Sequence, residues 1–199
     1  MNVSTRRGRR GDAHHWCELA LYTGPHLLPY LLGSGVRNVL RGSFPHTRNC
    51  FSFRHSHFIE AGGDIAGMAL AYDYREKRSE ELRSQLLIMR YLKWGFIRQL
   101  PYLRRSGNIL AQIGETDCYL SNIAVYPKFR RLGLGTKLIE VVEEQARKAG
   151  SSTMVLDAET DNEEAIKLYE RLGYKIERKS PILKIRDRDF QFFKMTRAL

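Results

Sequence analysis

Two hydrophobic periods alternate along this 199-residue chain, and the switches between them delimit its elements. Residues 3–7 predict a first strand. Gly11-Asp12 then predicts a turn, with Asp12 as the cap of a helix over residues 13–21 that Thr23-Gly24-Pro25 ends. Leu27, Leu28, Leu31, Leu32 and Val36 keep helical spacing over residues 27–39, although Gly33 and Gly35 weaken its continuity. Residues 51–60 and 65–74 predict two strands joined through Ala61-Gly62-Gly63-Asp64, a hairpin signal. Residues 76–105 are leucine-rich, basic and helical in period, with breaks expected near Gly95 and Pro101. This stretch predicts a helical insertion whose apolar positions face the core.

The second half is more regular. A strand over residues 119–125 leads through a basic, glycine-containing turn into a helix over residues 136–148. Leu138, Val142, Gln145, Ala146 and Ala149 line one side of that helix, and Glu143/Arg147 and Glu144/Lys148 are placed to pair. Gly150 ends it, and residues 153–158 predict another apolar strand. Asp161-Asn162-Glu163-Glu164 starts a helix with Ala165, Ile166, Tyr169 and Leu172 inward, and Gly173 closes it. Residues 174–178 and 190–197 predict the last strands.

At this length, with 43% hydrophobic and 28% charged residues, the expectation is one globular domain over residues 1–199. The net charge of +11 raises the question of nucleic acid. Residues 1–110 hold 17 Lys/Arg against 8 Asp/Glu (+9), and residues 111–199 hold 16 against 14 (+2). The run Arg6-Arg7-Gly8-Arg9-Arg10 reads as a solvated strand and turn in preference to a nucleic-acid arm. Three cysteines without metal-ligand spacing fit a reducing compartment. No apolar run reaches membrane-spanning length, so a cytoplasmic protein with no membrane partner is expected.

The candidate chemistry lies in the turn. Unpaired N–H groups at a helix start bind anions, and glycine lets a backbone approach them. Arg130 and Arg131 add charge and Thr136 a hydroxyl. Neither Gly-x-x-x-x-Gly-Lys-Ser/Thr nor Gly-x-Gly-x-x-Gly is present. The remaining pattern, Arg130-x-x-Gly133-x-Gly135 after Ile123-Ala124-Val125, resembles the acetyl-coenzyme A signature of the GNAT superfamily of N-acetyltransferases. Asn162-Glu-Glu-Ala165 through Tyr169 to Gly173-Tyr174 is similar to the family's later helix. The resemblance is strong over residues 119–174 and fades before residue 55.

That resemblance implies an α/β fold: a mixed, mostly antiparallel sheet, splayed in its middle and flanked by helices, with the insertion before the cofactor strand. It implies acetyl-coenzyme A as cosubstrate, no metal, and an amine acceptor. Ile123, Ala124 and Val125 are expected along the pantetheine arm. Arg130, Arg131, Leu132, Gly133, Leu134, Gly135 and Thr136 are expected around the pyrophosphate, with Asn162, Ala165 and Tyr169 beside the arm and sulfur. An amine of pKa about 10.4 must lose its proton before attacking a thioester, which costs roughly 4–5 kcal/mol at pH 7. Donors near residues 123–125 suit the developing oxyanion, and the Tyr169 phenol suits the leaving thiolate. For the base, Asp117 and Tyr119 head the splayed strand, with Glu115, Asp157 and Glu159 as further candidates. His55 and His57 share a strand face but lack a third metal ligand.

Two other readings stand beside this one. One is a catalytically silent coenzyme A-binding module; the other, ranked last, is a basic nucleic-acid-binding protein. A monomer or homodimer fits either way, and nothing in the sequence names the acceptor.

Overall fold

In a computed structural model the described residues are 2–199. The chain order is β1 (Val3–Arg7), α1 (Ala13–Thr23), α2 (Leu27–Leu32), α3 (Val36–Ser43), β2 (Ser56–Ala61), β3 (Asp64–Asp73), α4 (Tyr74–Leu92) and α5 (Gly95–Gly107). There follow β4 (Asp117–Val125), α6 (Leu134–Lys148), β5 (Thr153–Glu159), α7 (Glu163–Arg171), β6 (Lys175–Lys179), β7 (Leu183–Ile185), β8 (Arg188–Phe190) and β9 (Phe192–Ala198). Seven strands form one sheet in the order β1-β2-β3-β4-β5-β9-β6, and β7-β8 is a separate hairpin. Every neighbour pair in the sheet is antiparallel except β4 and β5.

Both faces of the sheet are covered, which explains why its central strands are apolar at odd and even positions alike. Met68, Leu70, Tyr72, Tyr119 and Val155 pack on one face against Trp16, Leu19, Leu40 and Phe44 of the α1–α3 region. Ala69, Cys118, Leu120, Met154 and Leu156 pack on the other against Leu138, Ile139, Val142 and Tyr169 of α6 and α7. A third cluster joins α2 to Leu92 and to Leu183, Ile185 and Phe190 of the small hairpin.

The parallel pair holds for only three residues, Asp117, Cys118 and Tyr119 against Thr153, Met154 and Val155. Beyond it β4 stays with β3 while β5 continues against β9, so the sheet divides into a V. The β3–β4 register shifts between Leu70 and Ala71, where Ser121 is the additional residue on β4. Further along the pair, opposite Val125, Gly67 lets the strands approach: a Cβ at that position would meet the Ala124 carbonyl oxygen at 2.6 Å.

Local departures from the sequence expectation have identifiable causes. The helix expected over residues 27–39 is split into α2 and α3 by a 3-10 turn, Gly33–Gly35, with Gly33 at φ +61°. The strand expected from residue 51 begins at Ser56, because the Ser52 hydroxyl accepts the Arg54 N–H and caps a 3-10 turn. Lys93 breaks the insertion with φ +52°, and Pro101 lies inside α5 without ending it. The strand expected over residues 190–197 is interrupted at Gln191, between β8 and β9. Glu143 does not pair with Arg147. It is buried, and its carboxylate accepts from Arg197 (2.8 and 2.9 Å) and from the Tyr174 hydroxyl (3.0 Å), tying α6 to β9.

Candidate active site

The basic, glycine-containing turn leads into a helix that starts at Leu134, two residues before the expected start at Thr136. Tyr126 leads into a 3-10 turn at Pro127–Phe129, after which Arg131 (φ +62°) and Gly133 (φ +71°) adopt left-handed geometry and α6 starts at Leu134. The first helical bond runs from the Lys137 N–H to the Gly133 carbonyl. The six N–H groups from Arg131 to Thr136 therefore find no acceptor among the described residues. Nothing lies within 4 Å of where a Gly133 Cβ would stand, and beside Gly135 only Leu168 does, at 3.8 Å. Arg130, Arg131 and Leu132 are exposed, whereas the Leu134 side chain is buried in the core, so Leu134 offers only its N–H. Unpaired donors beside open space and two guanidinium groups fit a pyrophosphate.

The V between β4 and β5 opens into a cleft of about 300 Å³. Tyr119, Ile123, Asp157, Glu159, Asn162, Ala165 and Tyr169 all line it, so residues from three elements spread over fifty positions converge there. Tyr22, Leu27, Leu28, Leu31, Leu110 and Phe192 complete an apolar wall on the α1–α2 side.

Side-chain chemistry divides between the two faces of the sheet. On the α1 face, Tyr119 is paired in register with Val155, and its hydroxyl donates to Asp157 Oδ2 at 3.0 Å. The Ala111 N–H donates to the same oxygen at 2.8 Å, leaving Oδ1 without a partner. Burial raises the Asp157 carboxyl above the ordinary aspartate range, and these two donors offset part of that rise. Burial, with Asp161 nearby, likewise raises Glu159, whose carboxylate accepts no hydrogen bond among the described residues. Tyr119 is pushed well above the usual phenol range by burial and by Asp157.

Tyr169 belongs to the opposite face, within the α6–α7 core. Burial pushes its phenol up to about 12, and its hydroxyl makes no hydrogen bond among the described residues. Asn162 caps α7 by accepting the Ala165 N–H at 3.2 Å through Oδ1, which leaves its Nδ2 unpaired.

Other candidates lie elsewhere. Asp117 does not reach the cleft: its Oδ2 accepts the Gly114 N–H at 2.7 Å and shapes the turn before β4, at the closed end of the V. Glu115 is exposed in the same turn. His55 is held by Glu80 (2.8 Å) and approached by Glu76 (3.5 Å), and burial lowers His57 to about 4. Both histidines line a separate hollow between the sheet and α6, and no metal-holding cluster occurs among the described residues. The residue pair that sequence spacing did not join is Tyr119 with Asp157, 38 positions apart. Its signals were separate ones: Tyr119 heads its strand run, and Asp157 follows the apolar residues 154–156.

The mostly antiparallel sheet, splayed in its middle, flanked by helices and carrying a free-donor turn before α6, is a GNAT-like fold. The sequence profile of the Acetyltransferase (GNAT) family matches residues 36–174, and the chain belongs to that family. It is similar to an N-alpha-acetyltransferase of Sulfurisphaera tokodaii, with 33% identity over 91 residues, 44% of this chain and 48% of the relative. It is also similar to the [ribosomal protein bS18]-alanine N-acetyltransferase of Escherichia coli K12, with 38% identity over 65 residues, 33% of this chain and 44% of the relative. The chain thus spans about half the length of the curated relatives it matches. Among solved structures, an N-acetyltransferase from Staphylococcus aureus Mu50 superposes with a TM-score of 0.70 at 18% identity, covering 98% of this chain and all of that one. The acetyltransferase yncA from Salmonella typhimurium, solved with acetyl-CoA, has a TM-score of 0.59 at 18% identity, covering 100% and 95%. At these identities the structures show the shared fold.

Proposed function

We propose that this protein transfers the acetyl group of acetyl-coenzyme A to the α-amine of a polypeptide. The observation that carries the proposal is the convergence of Asp157, Tyr119 and Tyr169 on one cleft, with the six free N–H donors following in the chain after its β4 wall. The α-amine is favoured by the names of the two curated relatives and by a chemical argument. An N-terminal amine has a pKa of about 8, so neutralising it at pH 7 costs roughly 1.4 kcal/mol against 4–5 kcal/mol for a lysine. One half-buried carboxylate suffices for that smaller task.

Acetyl-coenzyme A supplies the activated acyl group, and Arg130, Arg131 and the N–H groups of residues 131–136 hold its pyrophosphate. Asn162 Nδ2 and the backbone of Ile123 to Val125 orient the arm in the V. Asp157 takes the proton of the attacking amine through Oδ1, directly or through one water, while Tyr119 and the Ala111 N–H fix the carboxylate. Tyr169 faces the sulfur from the other side of the sheet. A phenol held near 12 is a weaker acid than a thiol, so its first service is a hydrogen bond to the developing thiolate, with proton transfer following as the C–S bond breaks. A protonated amine gives up two protons, one to Asp157 before attack and one from the nitrogen of the adduct to solvent. The sulfur takes one from the Tyr169 phenol, which solvent restores, so one proton is released per turnover.

Thiol release measured over a panel of short peptides, each free or blocked at its N-terminus and with or without lysine, tests the reading. Release from free N-termini alone supports it; equal release from blocked lysine peptides refutes the α-amine assignment. Cofactor binding with no release from any amine would leave the silent-module reading in its place.

A further inference from the structure

The insertion between β3 and β4 presents a surface that the transferase chemistry does not use. The inward side of α4 buries Leu87 and Leu92, with Ile88 and Tyr91 packed beside them. Its outward side is also apolar. Leu82, Leu86 and Met89 follow at i, i+4 and i+7, one stripe on the helix, and all three are exposed. Trp94 in the two-residue turn, and Ile97 and Leu100 at i and i+3 on α5, are exposed as well. Trp94, at the turn, is 87% exposed, the most exposed of the large apolar side chains. Surface leucines scattered singly are ordinary, but six exposed large apolar side chains within residues 82–100, one of them a protruding indole, mark a contact surface.

Charge identifies the contact. Between Leu82 and Gly107 there are six basic residues and no Asp or Glu, so this segment supplies +6 of the chain's +11. Arg83, Arg90, Lys93, Arg98, Arg104 and Arg105 are all exposed, and none is paired with a carboxylate among the described residues. A second copy of this surface would bring +6 against +6, which opposes self-association. RNA would engage the cations but leave five aliphatic side chains unused. A bilayer with anionic headgroups satisfies both sets, with indole and aliphatic groups at the acyl boundary and Lys/Arg at headgroup level. No helix is long and apolar enough to cross a membrane, so the contact is with the surface. The absence of a spanning segment, which suggested no membrane partner, does not bear on a contact of this kind.

We propose that the α4–α5 hairpin docks this protein on an anionic lipid surface, with Trp94 inserted at the interface. The chain carries its own reporter. Its two tryptophans are Trp16, fully buried, and Trp94, so a shift in emission on adding vesicles reads Trp94. The full chain is titrated with vesicles of phosphatidylcholine, with and without a minority of phosphatidylglycerol, and binding is also read by sedimentation. We expect a blue shift and sedimentation only with phosphatidylglycerol, falling at least about tenfold as salt rises from about 0.05 to 0.5 M. Trp94→Ala/Ile97→Ser and, separately, Arg98→Gln/Arg104→Gln/Arg105→Gln should each lose at least about tenfold in vesicle binding while keeping the wild-type melting temperature, since these side chains are exposed. The proposal is overturned by vesicle binding without a Trp94 shift, by equal binding to neutral vesicles, or by wild-type binding in either variant. Tighter binding to a homopolymeric RNA than to the anionic vesicles would assign the surface to nucleic acid instead.

Discussion

Replacing Asp157 with Asn tests the chemistry at its most exposed assumption. The side chain keeps its shape, and an amide oxygen in the place of Oδ2 still accepts both hydrogen bonds now made by Ala111 and Tyr119. What is lost is the negative charge and the ability to take a proton. General-base assistance typically contributes about 10²–10⁴ in rate, roughly 2.7–5.4 kcal/mol, so kcat should fall at least a hundredfold. The pH profile is the sharper readout. Burial raises the Asp157 carboxyl, so the wild-type rate should fall on its acid side above the ordinary aspartate range, and the variant should lose that limb. Stability separates this outcome from misfolding. A carboxyl whose pKa is higher folded than unfolded binds its proton better in the folded state. Its contribution is therefore fully present at low pH and is lost as pH rises through the folded value. At neutral pH the ionised Asp157 opposes folding, so Asp157→Asn should melt no lower than wild type. Stopped-assay thiol release from pH 5 to 9, beside thermal melts over the same range, measures both. A variant within threefold of wild type in kcat, with its acid limb intact, would refute the base assignment.

Tyr169→Phe should lower kcat at least about tenfold while leaving cofactor affinity within threefold, because the ring still fills its place in the core; single-turnover kinetics and calorimetry distinguish the two effects. Arg130→Ala should weaken coenzyme A binding by about 1–2 kcal/mol, one charge-assisted contact, read by calorimetry at fixed salt. Arg131→Gly should behave in two ways at once, gaining roughly 0.5–1 kcal/mol of stability through relief of its left-handed backbone while losing cofactor affinity. Glu143→Ala leaves Arg197 and the buried Tyr174 hydroxyl without their acceptor and should destabilise the fold by about 3 kcal/mol in urea unfolding.

What could be read from the sequence is what is local to it. Six successive residues make the anion turn, so its glycines, arginines and helix start are visible together, as is the Asn162 cap. The strands expected over residues 65–74 and 153–158, found as 64–73 and 153–159, were equally legible, since near-continuous apolar runs specify a sheet covered on both faces. Contacts set by topology were not. Glu143 and Arg147 have the right helical spacing, yet Glu143 turns inward because Arg197 and Tyr174, distant in sequence, wait there. Asp117 and Tyr119, two residues apart, share a strand face, but Asp117 lies at the closed end of the V with its carboxylate taken by the Gly114 N–H, and only Tyr119 reaches the cleft. The apolar positions of the insertion were expected in the core. Periodicity shows that α4 carries apolar stripes, but not that only one of them finds a partner.

The three-residue seam between β4 and β5 has a consequence for motion. Past Tyr119 and Val155 the two halves of the sheet share no backbone hydrogen bonds among the described residues, and side chains and the covering helices hold them together. Amide exchange should therefore sort the molecule into two blocks, β1 to β4 and β5 with β9 and β6, each opening with its own free energy. A ligand arm lying in the V would bond to one block and pack against the other. Its arrival would slow exchange in both at once, making the cosubstrate a structural strand of the sheet it reacts in.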